Sequence, residues 1–254
     1  MSQTKPFLSI IIPTFNEECR IAQSLTVIQS FIKTQKYQIE VIIVDDGSSD
    51  QTENLVKNFC LKHSDFKFVK NSHLGKALTV KRGVEETTGK YILFSDADLS
   101  TPIETINPML EDLIHQNFEV VIASREAKNA IRINEPYSRH ILGRIFNFAI
   151  KLFFLPKIQD TQCGFKMFEG KVAKKIFNNL LVFKARGKPA KTAYTGAFDV
   201  EILLLSKKYG YRIKEIPVTW TYSNISKVNP INELRYLFHD IFWLLINKIQ
   251  GKYH

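Results

Sequence analysis

Two carboxylates one residue apart, Asp96 and Asp98, follow the apolar run 91–94. Side chains at i and i+2 of an extended segment point the same way, so these two acids converge. Adjacent carboxylates repel each other unless a cation lies between them. Hard divalent cations take oxygen ligands and are held by one or two carboxylates together with substrate phosphates. The pair therefore predicts a site for a hard divalent cation and a phosphorylated ligand.

A second acidic turn, VDDGSSD at 44–50, ends an earlier apolar run. Gly47 permits a tight turn, and Ser49 or Asp50 can cap the next helix. Two interpretations of Asp45 and Asp46 remain: a capped strand–helix turn, or a carboxylate that reaches the base or ribose of a nucleotide. Neither GxGxxG nor GxxxxGK[ST] occurs in the sequence, which disfavours Rossmann dinucleotide binding and P-loop chemistry.

The composition predicts a globular protein with an anionic partner. The chain has 254 residues, 44% of them hydrophobic, and a formal net charge of +10. Nucleic acid, phosphorylated ligands and an acidic membrane surface are all compatible with this charge. Its cysteines, Cys19, Cys60 and Cys163, form no CxxC pair, so neither a disulfide framework nor a zinc site is expected. The apolar runs are too short to span a membrane, and residues 1–13 are expected to enter a strand rather than act as a leader.

Strand and helix patterns alternate over the first half of the chain. Short runs rich in Ile, Val and Phe predict buried strands at 7–12, 39–44, 66–69, 90–94 and 118–123. Helical spacing of apolar residues predicts helices at 17–32, 50–63, 75–87 and 102–116. This alternation indicates an α/β protein with a doubly wound, mostly parallel sheet. Ligands of such sheets bind beyond the carboxyl ends of the strands, where both acidic turns would lie.

The second half has a different organisation. We expect an irregular segment at 159–168, helices near 170–178 and 197–210, a polar loop at 184–195 and a strand within 211–220. Segments 137–156 and 231–250 are amphipathic, and either pack on the sheet or lie on a membrane. Trp243, many Phe residues and flanking basic residues favour an interfacial position on anionic lipid.

The motifs of the first half resemble those of the family-2 inverting glycosyltransferases, which have the GT-A fold. They are PTFNE at 13–17, VDDGSSD at 44–50, GKA at 75–77 and DAD at 96–98. The second half resembles the polyprenyl-phosphate sugar transferases, and their glucosyl branch most, at ASR (123–125), DTQCGFK (160–166), AFDVE (197–201) and EIPVTW (215–220). The resemblance implies a GT-A domain at 1–230, with a nucleotide-sugar half at 7–124, an acceptor half at 125–230 containing helix 137–156, and an interfacial helix at 231–254.

The resemblance also implies roles for individual residues. The expected nucleotide-sugar contacts are Pro13, Glu17, Asp46, Lys76, Asp96 and Gln162. The expected metal ligands are Asp96 and Asp98, with Ser100 as a candidate third ligand where many mannosyl relatives carry Gln. The expected catalytic residues are Asp98, Arg125, Arg139 and Asp160.

The implied activity is transfer of glucose from UDP-glucose to dolichyl phosphate or another polyprenyl phosphate, with Mg²⁺ or Mn²⁺. The enzyme would be peripheral, on the cytoplasmic face of the plasma membrane in a bacterium or of the endoplasmic reticulum in a eukaryote. It would bind no nucleic acid, and a homo-oligomer is compatible with this interpretation.

Three alternatives stay open. One is a mannosyltransferase that uses GDP-mannose. Another is a glycosyltransferase with a hydroxyl acceptor, which would need a carboxylate base such as Asp199 or Glu201. The third is a basic nucleotide- or nucleic-acid-binding module, which would leave the Asp96–Asp98 pair unexplained.

Overall fold

The computed structural model describes residues 5–181, 198–223 and 241–253. The strands are β1 (Leu8–Thr14), β2 (Ile39–Asp45), β3 (Phe66–Lys70), β4 (Tyr91–Ser95), β5 (Val120–Ser124), β6 (Ile131–Ile133), β7 (Phe165–Glu169), β8 (Ile213–Pro217) and β9 (Thr219–Thr221). The helices are α1 (Ile21–Thr34), α2 (Thr52–Cys60), α3 (Lys76–Glu86), α4 (Ile106–His115), α5 (Tyr137–Phe153), α6 (Gly170–Asn178) and α7 (Phe198–Lys208). A 3-10 turn (Ile103–Thr105) precedes α4, and residues 241–249 form a further helix, α8.

A seven-stranded sheet with the order β3-β2-β1-β4-β7-β5-β8 forms the centre of the protein. β1 pairs in parallel with both β2 and β4, and β5 pairs in parallel with β8. The carboxyl ends of β1, β2 and β4 therefore meet at one edge, which confirms the predicted doubly wound, mostly parallel sheet. All the helices predicted in the first half are present, with boundaries shifted by a few residues.

β7 corrects the prediction of an irregular segment at 159–168. It runs antiparallel between β4 and β5, with Ser95 opposite Phe165 and Ile122 opposite Lys166. A lysine in the middle of the run interrupts the apolar pattern expected for a buried strand. The side chain of Lys166 is nonetheless completely buried, because it forms an ion pair with Asp199 of α7. A partner so distant in sequence could not be inferred from the local pattern.

Helices cover both faces of the sheet. One apolar cluster joins alternate strand residues such as Ile11, Val44 and Phe94 to α3, α5, α6, α7 and α8. The other joins strand residues on the opposite face, such as Ile10 and Ile43, to α1, α2 and α4. Burial on both faces explains why the strands are nearly continuous apolar runs.

A short second sheet lies beside the carboxyl edge of the main one. β6 and β9 pair in parallel, with Arg132 opposite Trp220. The backbone N–H of Thr221 donates a hydrogen bond to the carbonyl of Ser100 at 2.9 Å, and Tyr222 N–H donates to Ile133 at 2.9 Å. Residues 219–223 are thus fixed against the turn that carries Asp96 and Asp98.

The end of the chain packs against α7. Leu244 of α8 is completely buried, and the Tyr253 hydroxyl donates a hydrogen bond to Glu201 at 2.8 Å. Of the amphipathic segment predicted at 231–250, only the part from 241 onward is described, and the polar loop predicted at 184–195 lies outside the described residues. Within the described ranges, no helix has the length and apolar character needed to cross a membrane.

Candidate active site

The turn after β4 holds the two closely spaced carboxylates. Asp96 N–H donates to the carbonyl of Gly164 at 3.1 Å, and Ser100 N–H donates to Asp98 Oδ1 at 3.0 Å. Leu99 adopts a positive φ of 48° in this turn. The side chains of Asp96 and Asp98 are 38% and 21% exposed, so both are accessible to solvent. Ser100 is buried, and its carbonyl accepts the hydrogen bond from Thr221.

Gly164 allows Asp96 to lie close to the loop that precedes β7. A Cβ atom built at this glycine would collide with all three atoms of the Asp96 carboxyl group. The absence of a side chain is therefore a requirement of packing here. The glycine of the motif DTQCGFK therefore packs directly against Asp96 of the acidic turn.

Two basic side chains are the internal counterions of the acidic turn. Lys76, at the start of α3, forms an ion pair with Asp96, and Arg20 Nη1 lies 3.7 Å from Asp98 Oδ2. Burial tends to lower the pKa of Lys76, but the negative charges of Asp96 and Asp199 outweigh it and raise that pKa. Each carboxylate of the turn therefore has its own basic neighbour, Lys76 for Asp96 and Arg20 for Asp98.

The acidic turn fits a divalent cation that the ligand helps to hold. Asp96 and Asp98 offer solvent-accessible carboxylate oxygens, the ligand type that Mg²⁺ and Mn²⁺ prefer. Among the described residues, no group of three or more His, Cys, Asp and Glu side chains could complete a metal site. One or two carboxylates together with phosphate oxygens of a bound ligand are a usual way of holding such an ion.

Arg20 is a site residue that the sequence prediction missed. Its guanidinium forms a two-point ion pair with Glu17, and Nη1 donates to Ser223 Oγ at 2.7 Å. Arg20 thereby links the loop after β1 to both Asp98 and the segment after β9. The one local signal was the spacing of Glu17 and Arg20, since residues three apart become neighbours when the chain is helical.

Asp46 fixes the loop that leads into α3. Its buried carboxylate accepts hydrogen bonds from the N–H groups of Leu74 and Gly75, both at 2.9 Å, and from the Asn71 amide at 3.1 Å. Gly75, with φ of 89°, is the residue immediately before Lys76. The observed contacts of Asp46 therefore position Lys76. Its neighbour Asp45 accepts from Ser48 N–H at 2.9 Å within the turn, and Asp50 accepts from the N–H of Thr52, the first residue of α2, at 3.0 Å.

The remaining residues expected to contact the donor lie near the same edge. Pro13 is half-buried in β1 opposite Val44 of β2. Gln162 is half-buried in the loop before β7, where its N–H donates to Asp160 Oδ1 at 3.0 Å. Neither contacts the acidic turn through a hydrogen bond among the described residues.

Arg125 and Asp160, predicted separately as catalytic residues, form one buried pair. Arg125 Nε donates to Asp160 Oδ2 at 2.7 Å, Nη2 donates to Oδ1 at 2.9 Å, and the backbone N–H of Arg125 also donates to Oδ2. Burial opposes the charge on each partner, but the ion pair dominates: it raises the pKa of Arg125 and holds the pKa of Asp160 well below its usual range. Asp160 thus orients the guanidinium that follows β5.

Arg139, the fourth predicted catalytic residue, lies in the first turn of α5. It is exposed, and its guanidinium carbon lies 5.1 Å from the centre of the Tyr222 ring. The structure therefore places Arg139 beside the segment that follows β9, the same segment that contacts Arg20.

The two carboxylates considered as possible bases are both buried. Asp199 forms an ion pair with Lys166, whose Nζ also donates to the carbonyl of Cys163 at 2.6 Å. Glu201 is completely buried and accepts hydrogen bonds from Tyr253 and from the N–H of Leu181 at 2.5 Å. Each is therefore held by structural partners, whereas a general base would need a carboxylate oxygen that the substrate can reach.

Comparison with solved structures identifies the class of fold. The structure superposes on glucosyl-3-phosphoglycerate synthase from Mycobacterium tuberculosis, solved in complex with Mn²⁺ and UDP-glucose, with a TM-score of 0.62 and 17% identity. The match covers 96% of this chain and 78% of that chain. At this identity the likeness is one of fold, and the fold is that of the GT-A glycosyltransferases.

The family follows from sequence comparison. The model of glycosyl transferase family 2 matches residues 9–177, and the chain belongs to that family. Among its curated relatives, dolichyl-phosphate β-glucosyltransferase of Dictyostelium discoideum is 33% identical over 96% of this chain and 76% of its own length. The human protein of the same name is 31% identical over the same shares of the two chains.

Proposed function

We propose that this glycosyltransferase moves glucose from UDP-glucose to dolichyl phosphate or another polyprenyl phosphate, with inversion and with a divalent metal ion. The observation that carries the proposal is the similarity to dolichyl-phosphate β-glucosyltransferases along 96% of the chain. In this proposal residues 7–124 bind the donor, and residues 125–230 bind the acceptor.

On the donor side, Asp96 and Asp98 would hold the metal ion against the diphosphate. When bound, the ion neutralises negative charge that develops on the departing nucleoside diphosphate. Lys76 lies beside Asp96 and can pair with a phosphate oxygen once a cation shares that carboxylate. Arg20 contacts both Glu17 and Asp98, and so holds the acidic turn against the loop after β1.

On the acceptor side, the chemistry requires positive charge more than it requires a base. A phosphate monoester is already largely ionised at neutral pH, so its oxygen can attack the sugar carbon without losing a proton. The barrier arises from bringing one anion towards another, and correctly placed guanidinium groups lower it. Arg125 and Arg139 would supply those groups, and the burial of Asp199 and Glu201 favours this acceptor over a hydroxyl.

A donor panel tests the proposed activity. With a short polyprenyl phosphate as acceptor, we expect turnover with UDP-glucose, little with GDP-mannose, and loss of turnover in EDTA that Mg²⁺ or Mn²⁺ restores. Product release is measured as UDP or GDP, and the glycolipid is identified by mass spectrometry. Turnover with GDP-mannose alone would instead identify a mannosyltransferase.

A paired substitution separates the two acceptor chemistries. Changing Asp199→Asn alone would leave Lys166 buried without a counterion and is expected to destabilise the fold whatever the chemistry. We therefore expect the double variant Lys166→Met with Asp199→Leu to fold and to keep transfer within about tenfold of wild type, because removing both partners of a buried pair is often tolerated. Complete loss of transfer in a folded double variant would favour Asp199 as a base for a hydroxyl acceptor.

We also propose that α5 and α8 contact the membrane that holds the acceptor. One face of α5 packs on the core through Phe146 and Ile150, while apolar side chains on the rest of its surface are exposed: Tyr137, Ile141, Ile145, Phe148, Leu152 and Phe153. α8 adds exposed Phe242, Trp243 and Ile249. Lys248 donates to the carbonyl of Phe153 at 2.5 Å, which joins the two helices into one surface. Aromatic and basic residues together suit an anionic lipid surface.

Vesicle binding tests this surface. Phe148 is 68% exposed on α5, and Phe148→Glu is expected to weaken binding to anionic vesicles by about tenfold or more, since an apolar side chain is lost from the lipid and a negative charge is gained. The matched control is Leu61→Glu, at an exposed apolar residue immediately after α2. Co-sedimentation measures both. Equal effects of the two substitutions would contradict the assignment of α5 to the membrane.

A further inference from the structure

Residues 219–223, TWTYS, form hydrogen bonds with three separate segments around the site. The backbone of Thr221 is bonded to Ser100 on the acidic turn, and that of Tyr222 to Ile133 of β6. The side chain of Ser223 accepts the hydrogen bond from Arg20. This short segment therefore lies against the acidic turn, β6 and the start of α1 at once.

Two aromatic rings of this segment each contact an arginine from another element. Side chains two apart in a strand point the same way, and the ring centres of Trp220 and Tyr222 are 6.0 Å apart. The guanidinium carbon of Arg125 lies 5.3 Å from the centre of the Trp220 ring, and that of Arg139 lies 5.1 Å from the Tyr222 ring. One aromatic pair thus brings together guanidinium groups from the end of β5 and the start of α5.

The two arginines depend on this pair to different extents. Arg125 is also held by its two-point contact with Asp160, which restricts the guanidinium independently of Trp220. Arg139 is exposed and has no ion-pair partner among the described residues, so the Tyr222 ring is the contact that restricts it. An arginine against an aromatic face keeps its in-plane N–H groups available for an anion.

We propose that Trp220 and Tyr222 are positioning residues that hold Arg125 and Arg139 at a fixed separation for one phosphate group of the acceptor. This inference rests on the proposed function, because it assigns both arginines to the acceptor. Neither ring takes part in bond making. They restrict the two guanidinium groups before the phosphate binds, so that less conformational entropy is lost on binding.

The test compares removal of each ring with its conservative replacement. The variants are Tyr222→Leu, Tyr222→Phe, Trp220→Leu and Trp220→Phe. The matched control is Tyr209→Leu, because Lys175 Nζ lies 4.2 Å from the Tyr209 ring centre in a similar cation–aromatic pair at the end of α7. Steady-state kinetics give the KM for short-chain polyprenyl phosphate and the KM for UDP-glucose. Calorimetry gives the affinity for farnesyl phosphate and for UDP without turnover.

We expect each Leu variant to raise the acceptor KM, and to weaken farnesyl phosphate binding, by about twofold to thirtyfold, the range of one cation–aromatic contact. The Tyr222 variant should show the larger effect. The donor KM and UDP affinity should stay at wild-type values, the Phe variants should restore acceptor binding, and Tyr209→Leu should leave both substrates unaffected.

Unchanged farnesyl phosphate affinity in folded Tyr222→Leu would overturn the inference, and so would equal losses for donor and acceptor. Trp220 is almost completely buried, so its Leu variant can fail to fold. In that case the comparison of Tyr222→Leu with Tyr222→Phe, at a half-buried residue, tests the inference. Failure of the wild type to transfer sugar to any polyprenyl phosphate would refute the proposed function, whereas the binding measurements would still decide whether the rings position the arginines.

Discussion

Replacing Asp98 with alanine is expected to lower turnover by a hundredfold to about a thousandfold, the usual cost of removing one group that stabilises transition-state charge. In the proposed function Asp98 holds the metal ion against the donor diphosphate. The fold should tolerate the change, because the Asp98 side chain is partly exposed and Arg20 keeps its two-point contact with Glu17. The loss should therefore appear in activity and metal binding rather than in stability.

Two further variants make this result interpretable. Asp98→Asn retains the oxygen that accepts from Ser100 N–H and removes only the charge, so it should be nearly as inactive as the alanine variant. Glu104→Ala, at an exposed acid in the nearby 3-10 turn, should be almost unaffected. Mn²⁺ affinity, followed by electron paramagnetic resonance in the presence of UDP, provides a readout apart from turnover. Full activity with unchanged metal dependence in Asp98→Ala would remove the acidic turn from the mechanism.

Replacing Arg125 with alanine is expected to lower the free energy of unfolding by about 3–5 kcal/mol, because it leaves the Asp160 carboxylate buried without its counterion. Sugar transfer should fall as well, since the guanidinium assigned to the acceptor phosphate is lost. Thermal or urea unfolding measures the first effect, and single-turnover transfer at a temperature where the variant is folded measures the second.

The pH dependence of the stability deficit identifies its cause. In the wild type the Arg125 pair depresses the pKa of Asp160 below its unfolded value, so the stabilisation is present at neutral pH and is lost as the pH falls through the folded pKa. In Arg125→Ala, burial would raise the pKa of the unpaired Asp160 carboxyl group. Its protonation at lower pH would then remove the unfavourable buried charge. The deficit relative to wild type should shrink on moving from neutral to mildly acidic pH.

Control substitutions complete the Arg125 test. Adding Asp160→Asn to Arg125→Ala should restore part of the stability, because the uncompensated charge is gone, but it should not restore transfer. Arg82→Ala, which breaks a surface ion pair with Glu86, should change the free energy of unfolding by less than about 0.5 kcal/mol. A stability deficit in Arg125→Ala that does not vary with pH would argue against an unpaired Asp160 as its cause.

The parts predicted well from sequence are those whose signal is local. The alternation of buried strands and amphipathic helices from β1 to β5 depends on periodicity within a few residues, and every one of those elements is present. The convergence of Asp96 and Asp98 was predicted for an extended segment, whereas the structure places both in the turn after β4, with Lys76 beside Asp96 and Arg20 near Asp98. β7 was missed because Lys166 breaks the apolar pattern, and only Asp199, 33 residues further on, makes its burial favourable.

The amino-acid sequence by itself determined the α/β class, the edge of the sheet at which the acidic turns lie, and membership of a family through motifs in order. Only the tertiary structure decided which charges pair: Arg125 with Asp160, Lys76 with Asp96, and Lys166 with Asp199. It also placed Arg20 and the segment 219–223 in the site. The physical reason is that periodicity is a property of neighbours along the chain. The partner of a buried charge is set by which elements the fold brings together, and here the partners lie 20, 35 and 33 residues apart along the chain.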